Sequence, residues 1–142
     1  MRALSIRQPY AELILRGVKT IEYRSRPTRI IGERFYLYAS KTWASGGAAK
    51  PWSLDLAPVE GSRKAPPPWM LELAKALILR GPDGGPLPTG MIVGSAVIEK
   101  VTPGDAADGT SGLFCWHLGS VERVKTLRKP KGHPQPVWFE PF

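Results

Sequence analysis

Residues 91–101, MIVGSAVIEKV, constrain the fold of this 142-residue chain more than any other stretch. Apolar side chains fill almost every position of the run, so it reads as a long strand near the centre of a sheet. Gly94 within it marks a bulge or a close approach of another part of the chain. Such a strand needs partners on both sides. Residues 2–7 (RALSIR), 19–24 (KTIEYR) and 34–39 (RFYLYA) alternate apolar and polar side chains as half-buried strands do. LFCWHL (113–118), VERVKTL (121–127) and PVWF (136–139) add three further short strands.

Two segments read as helices. Pro9 suits a first helical turn, AELILRG (11–17) carries a broad apolar face, and Gly17 closes it as a left-handed cap. WMLELAKALILR (69–80) has the clearest helical periodicity of the chain and stops at GPDGGP. The intervening residues 42–68 are rich in Gly, Ala, Ser and Pro and read as a long insertion or flap. Seven short strands and two helices without regular βαβ alternation predict an α+β domain spanning residues 1–142. Its architecture is a small β-barrel, or a strongly curved mixed sheet, of short strands decorated by two or more helices.

Cys115 is the only cysteine, which excludes an internal disulfide and any multi-cysteine zinc site. His117 and His133 are too isolated for a metal, so no metal or cofactor is expected. No apolar run approaches the roughly 20 residues of a membrane helix, and MRALSIRQPYA has no apolar signal region. A cytoplasmic protein with no membrane partner fits these features.

Charge narrows the function. The net charge is +8, and it is unevenly placed. Residues 1–34 carry eight cations against three acids, and residues 121–142 five against two, whereas residues 35–120 hold seven of each. The excess sits at the two ends of the chain, and a fold that joins those ends makes one basic surface suited to a polyanion.

Within LSIRQPYAELILRGVKTIEYRSRPT (4–28), Arg7, Arg16, Lys19, Arg24 and Arg26 surround a short helix, with Glu22 among them. In an ideal strand Thr20, Glu22 and Arg24 share a face and Lys19 lies on the other; a half-turn at its start brings Lys19 towards Glu22 instead. Either geometry places Glu22 beside a cation. Lys19 and Arg24 then suit a phosphate or a polar base edge, and Glu22 suits an exocyclic amine; an ordinary cross-strand salt bridge uses the same spacing. Lys19 is also a candidate general base or nucleophile if burial lowers its pKa. In RKPKGHPQPVWFEPF (128–142), Arg128, Lys129 and Lys131 form a proline-stiffened basic loop, with Gly132 N–H and His133 beside them. Of Trp138 and Phe139, one is expected to pack inward while the other can offer a stacking face.

The 4–28 stretch closely resembles the opening motif of the ASCH domain family, with Gln8, Pro9, Tyr10, Ala11, Gly17, Lys19, Glu22 and Arg24 at matching spacing. RFYLYASK, TGMIVGSAVIEKV and FCWHLGSVERVKTLRKPKGHPQPVWF are similar to its later strands. The resemblance implies a PUA-like β-barrel with a cleft beside the first helix. Lys19, Glu22 and Arg24 would line that cleft with the strand end at Ser40 and Lys41. It implies binding of RNA, other nucleic acid or a modified nucleoside, with Arg7, Gln8, Thr20 and Arg26 as further candidate contacts. Some family members hydrolyse N4-acetylcytidine with a lysine, a threonine three residues later and a distant glutamate, and others cut single-stranded RNA. Lys19 matches the lysine, but Glu22 stands at the threonine position. A metal-independent hydrolase using Lys19 and Glu22 is therefore the alternative reading, and a protein-interaction adaptor the third.

Overall fold

The computed structural model describes residues 1–42 and 86–142. These residues form strand β1 (Ala3–Ile6), helix α1 (Tyr10–Leu15), β2 (Ile21–Arg24), β3 (Arg34–Ala39), β4 (Met91–Pro103), a single 3-10 turn (Ala106–Asp108), β5 (Phe114–Arg128) and β6 (Trp138–Phe139). The strands make one mixed sheet in the order β2-β5-β4-β3-β1-β6, with β1 and β3 parallel and every other neighbouring pair antiparallel. As the apolar run predicts, β4 lies inside the sheet, between β3 and β5.

Gly94 answers both expectations for it. The β4–β5 register shifts between Ile92 and Gly94, and a Cβ at Gly94 would stand 2.4 Å from Glu122 O and from Leu15 Cδ2. The missing side chain is what lets α1 rest on the sheet here. Gly17 has φ +74° and ends α1 as expected.

Three expectations change. LFCWHL and VERVKTL are not separate strands: the chain runs through Gly119-Ser120 as one strand of 15 residues, so the sheet has six strands. The strand survives because its irregularities are absorbed by register shifts against β4. Ser120 takes φ +47°, and Arg34 Nη1 donates to its carbonyl at 2.9 Å and to Ser95 Oγ at 2.8 Å. Secondly, the sheet is not a closed barrel among the described residues, because no backbone ladder joins its end strands β2 and β6. Side chains bridge the seam instead. Arg24 Nη2 of β2 donates to Ser5 O of β1 at 2.8 Å, and Trp116 of β5 stacks on Trp138 of β6 with ring centroids 6.0 Å apart. A ladder needs strands about 4.8 Å apart, and aromatic rings hold the seam. Thirdly, α1 is the only α-helix among the described residues. The helix expected at 69–80, and the 42–68 insertion apart from Thr42, lie outside them. No helix among the described residues is long and apolar enough to cross a membrane.

The two faces of the sheet bury different sets. One carries the main core, including Leu4, Ile6, Phe35, Leu37, Val93, Ile98 and Trp116, closed by Ala11 and Ile14 of α1. The other carries Ala3, Tyr38, Ile92 and Phe139, with Tyr36 and Val124 beside them. Glu12 of α1 is almost fully buried against this assembly and meets Arg123 of β5. Arg123 Nη2 donates to Oε2 at 3.1 Å, and Nη1 stands 2.7 Å from Oε1 without the alignment of a hydrogen bond.

Candidate functional site

The site begins with the turn between α1 and β2. The N–H groups of Val18 and Lys19 both donate to Leu13 O, which folds the chain back under the helix before β2 begins. Lys19 is thereby driven inward, with a relative exposure of 5 %, while Thr20 stays exposed and its carbonyl accepts from Leu118 N. Because β2 starts at Ile21, Thr20 does not join the alternation of Glu22 and Arg24. The chain turns back at Val18 and Lys19, yet the Lys19 amine reaches Ile21 O and makes no ion pair with Glu22 among the described residues.

The Lys19 amine donates to Ile21 O and lies 5.1 Å from the ring centre of Tyr23 and 5.6 Å from that of Tyr10. Among the described residues no carboxylate is within ion-pair distance of it. Burial pushes its pKa below that of an ordinary lysine; Glu22 opposes this, Arg24 adds to it, and Cys115 opposes it. The Tyr10 hydroxyl is pushed the other way, upward, by burial first and then by the nearby Glu22, against Arg7.

Glu22 and Arg24 stand on the inward face beside Trp116, which is the cross-strand partner of Glu22. Glu22 has a relative exposure of 8 %. Its Oε1 is 3.7 Å from Arg24 Nε, too long for a hydrogen bond. Glu22 Oε2 and Arg24 Nε are both buried and have no hydrogen-bond partner among the described residues. Arg24 is nonetheless fixed, by Ser5 O and by the Trp116 ring 5.8 Å away. The inward face of β2 thus holds one immobilised donor and one acceptor, both buried and without hydrogen-bond partners among the described residues, with a buried amine nearby.

The other residues singled out in the sequence distribute unevenly. Arg7 and Arg26 are exposed, and Arg26 contributes its carbonyl to Trp116 Nε1 at 3.1 Å. Ser40 N donates to Ile6 O, so the end of β3 adjoins the segment leading to Arg7. The exposed Lys41 runs its side chain past Gly90, where a Cβ would lie 3.2 Å from Lys41 Cε. Gln8 is a structural residue: its Nε2 donates to Pro88 O at 2.9 Å, and its Oε1 accepts from Glu12 N at 3.1 Å, tying the helix start to the 86–90 segment.

Arg128 of the C-terminal basic segment sits elsewhere. Arg128 is paired with Ile92, which faces the second core, and its guanidinium lies 3.8 Å from the ring centre of Phe142, itself packed on Tyr36. Arg128 is thus on the face opposite Trp116. Lys129, Lys131 and His133 are exposed. The N–H groups of Lys131 and Gly132 both donate to Pro141 O at 2.7 Å, so the expected anion-binding Gly132 amide is already engaged. The chain ends do meet, since β1 pairs with β6 and Ser5 donates to Gln135 O and Val137 O, while Arg128 lies on the face opposite Trp116. Trp138, half-buried, packs against the main core and Phe139 into the second, and both also line a depression at the surface. His117 shares a 2.8 Å hydrogen bond with Thr102 Oγ1.

Tyr10, Tyr23, Trp116 and the Ser5 carbonyl were not legible as site components. Strand alternation set Tyr23 apart from Glu22, and Trp116 lay in a run that reads as plain core. A shallow depression of about 260 Å³ lined by Arg2, Trp138, Phe139 and Glu140 lies at β6 and does not include Lys19 or Glu22. Among the described residues no three His, Cys, Asp or Glu side chains cluster as metal ligands.

A family model described as the ASCH domain matches residues 4–125. Comparison with curated proteins gives no match. Among solved structures, the crystal structure of ASCH from Zymomonas mobilis is similar, at 14 % identity over 90 % of this chain and 72 % of that one, with a TM-score of 0.49. A mutant form of the same Zymomonas mobilis protein matches at 14 % identity over 87 % and 70 %, with a TM-score of 0.46.

Proposed function

The chain belongs to the ASCH domain family, and from that premise we propose that it binds single-stranded nucleic acid, RNA in the first instance, by seating one unpaired base against Glu22 and Arg24. The observation that carries this reading is the pair of buried, unpartnered atoms Glu22 Oε2 and Arg24 Nε. A buried polar group without a partner costs about 1–3 kcal/mol, and a ligand that satisfies both atoms recovers that cost on binding. The hydrogen-bonding edge of a nucleobase sets a donor beside an acceptor and matches the pair. A phosphate offers acceptors alone and would meet the Glu22 carboxylate head-on. The base therefore goes in, and the phosphates stay outside with the exposed Arg7, Arg26 and Lys41.

This division predicts a shallow salt dependence, about 0.7 in log affinity per log salt for each phosphate held. The test is anisotropy of a labelled single-stranded RNA. Glu22→Gln, which keeps the shape and removes the paired acceptor charge, should weaken binding about tenfold at constant salt slope. Arg7→Ala with Arg26→Ala should lower the slope itself. Equal affinity of wild type and Glu22→Gln would refute the pocket. Loss of binding in Arg128→Ala with Lys131→Ala would instead place the strand on the opposite face.

A second reading is supported by one observation, the downward-shifted Lys19 amine. A buried lysine whose proton is more easily lost than usual is fitted to act as general base in hydrolysing an RNA phosphodiester or an amide on a modified nucleoside such as N4-acetylcytidine. Product analysis after incubation with each substrate decides it: Lys19→Met should abolish turnover, and turnover by that variant would remove the amine from the chemistry.

A further inference from the structure

The seam of the sheet and the wall of the pocket share one residue, and the consequence concerns a side chain outside the pocket. Resting on the reading above, we propose that Trp138 is a positioning residue for Arg24, fixing the donor that the pocket presents.

Arg24 is held from two sides of an unclosed seam. On its own side, β2 is joined to β5, whose Trp116 carries the guanidinium. Trp116 is itself fixed in its plane, because its Nε1 donates to Arg26 O at 3.1 Å. On the far side, Ser5 O of β1 accepts from Arg24 Nη2 at 2.8 Å. No backbone ladder links β2 with β6 or β1, so the distance between Trp116 and Ser5 O is set by whatever fills the seam. Trp138 fills it. It is the cross-strand partner of Leu4, the residue before Ser5, and therefore moves with β1. Its ring lies nearly parallel to that of Trp116, at 9°, and edge-on to Phe35 at 5.1 Å. The two tryptophans therefore act as a spacer between the strand that bears the Arg24 platform and the strand that bears its anchor.

Close packing makes that spacer stiff. Arg24 Nε has no hydrogen-bond partner among the described residues, so it stays beside Glu22 only while Nη2 remains pinned to Ser5. Truncating Trp138 lets the seam relax, frees Nη2 and lets water reach the Arg24 Nε–H. The donor would then no longer be held in place beside Glu22 for a ligand. Trp138 thus acts through Trp116 and Ser5 without touching the ligand.

The experiment compares wild type, Trp138→Leu, Trp138→Phe, Arg24→Ala and the double variant Trp138→Leu/Arg24→Ala. It measures affinity for a labelled single-stranded RNA and, independently of any ligand, water exchange of the Arg24 Nε–H by ¹⁵N NMR. Trp138→Leu should bind about tenfold more weakly, and the double variant no more weakly than Arg24→Ala, because one interaction is lost in both. Trp138→Phe keeps an aromatic spacer and should recover most of the affinity. Exchange of the Arg24 Nε–H should be slow in wild type, intermediate in Trp138→Phe and fast in Trp138→Leu. Losses that multiply in the double variant would overturn the proposal, and so would wild-type exchange in either Trp138 variant. Should wild type fail to retain RNA, the binding reading falls, while the exchange series still decides the role of Trp138; if Trp138→Leu does not fold, Trp138→Phe carries that series.

Discussion

Replacing Lys19 by Met removes a buried ammonium while keeping a flexible apolar stem, and the stability of that variant has a pH signature that follows from the site. The wild-type amine is 5 % exposed. Removing an ammonium from water costs several kcal/mol even after relaxation. Against this stand one charge-assisted hydrogen bond to Ile21 O, about 1.5–3 kcal/mol, and two aromatic rings at 5.1 and 5.6 Å, about 0.5–2 kcal/mol each. These contributions nearly cancel, so the absolute change at neutral pH is small. Its pH dependence is firmer. The folded-state pKa lies below the unfolded value of 10.5, because burial disfavours the charged form. Between those two pKa values the unfolded chain binds more protons, so wild-type stability rises as pH rises through that window. Met does not titrate. The stability of Lys19→Met relative to wild type is therefore greatest below the folded pKa and declines as pH approaches 10.5, by about 1.4 kcal/mol for each unit of depression. Urea unfolding of both proteins at steps from pH 7 to 10 measures this difference, in which other titrating groups largely cancel. A difference that stays flat, or that grows with pH, would refute the claim that Lys19 is held at a desolvation cost.

Two further outcomes test the scaffold. Arg123→Ala leaves the buried Glu12 with only Arg16, at 3.7 Å and part-exposed, and should cost about 3 kcal/mol in chemical unfolding; adding Glu12→Gln should return a large part of the loss, since an amide is cheaper to bury than an unpaired charge. Gly94→Ala places a Cβ against the Glu122 carbonyl and Leu15 and should cost about 1–3 kcal/mol by the same measurement, with a wild-type melting curve counting against the close approach of α1 to β4.

Local patterns were enough for the elements. The apolar run at 91–101 has no polar face to offer solvent, so it had to lie inside a sheet, and alternation in RFYLYA fixed which side chains point inward, whereas in IEYR the buried position is the polar Glu22. Lys19, Glu22 and Arg24 could be named as a group because three and two residues of separation keep them together in any compact local geometry. The boundary between LFCWHL and VERVKTL misled, because Gly119-Ser120 looks like a turn when read alone; cross-strand register and the Arg34 contacts hold it as strand.

The sequence by itself determined a basic, mostly β chain with a carboxylate set among cations at the first helix, since charge count, alternation and glycine positions are properties of neighbours along the chain. Tertiary structure alone decided that the ladder stops short of closure and that tryptophan rings hold the seam. It also decided that Arg24 reaches Ser5 and that Arg128 lies on the face opposite Trp116. Those outcomes depend on which face of a curled sheet each distant strand presents. A shift of one residue in register reverses that face, and no stretch of local sequence fixes it.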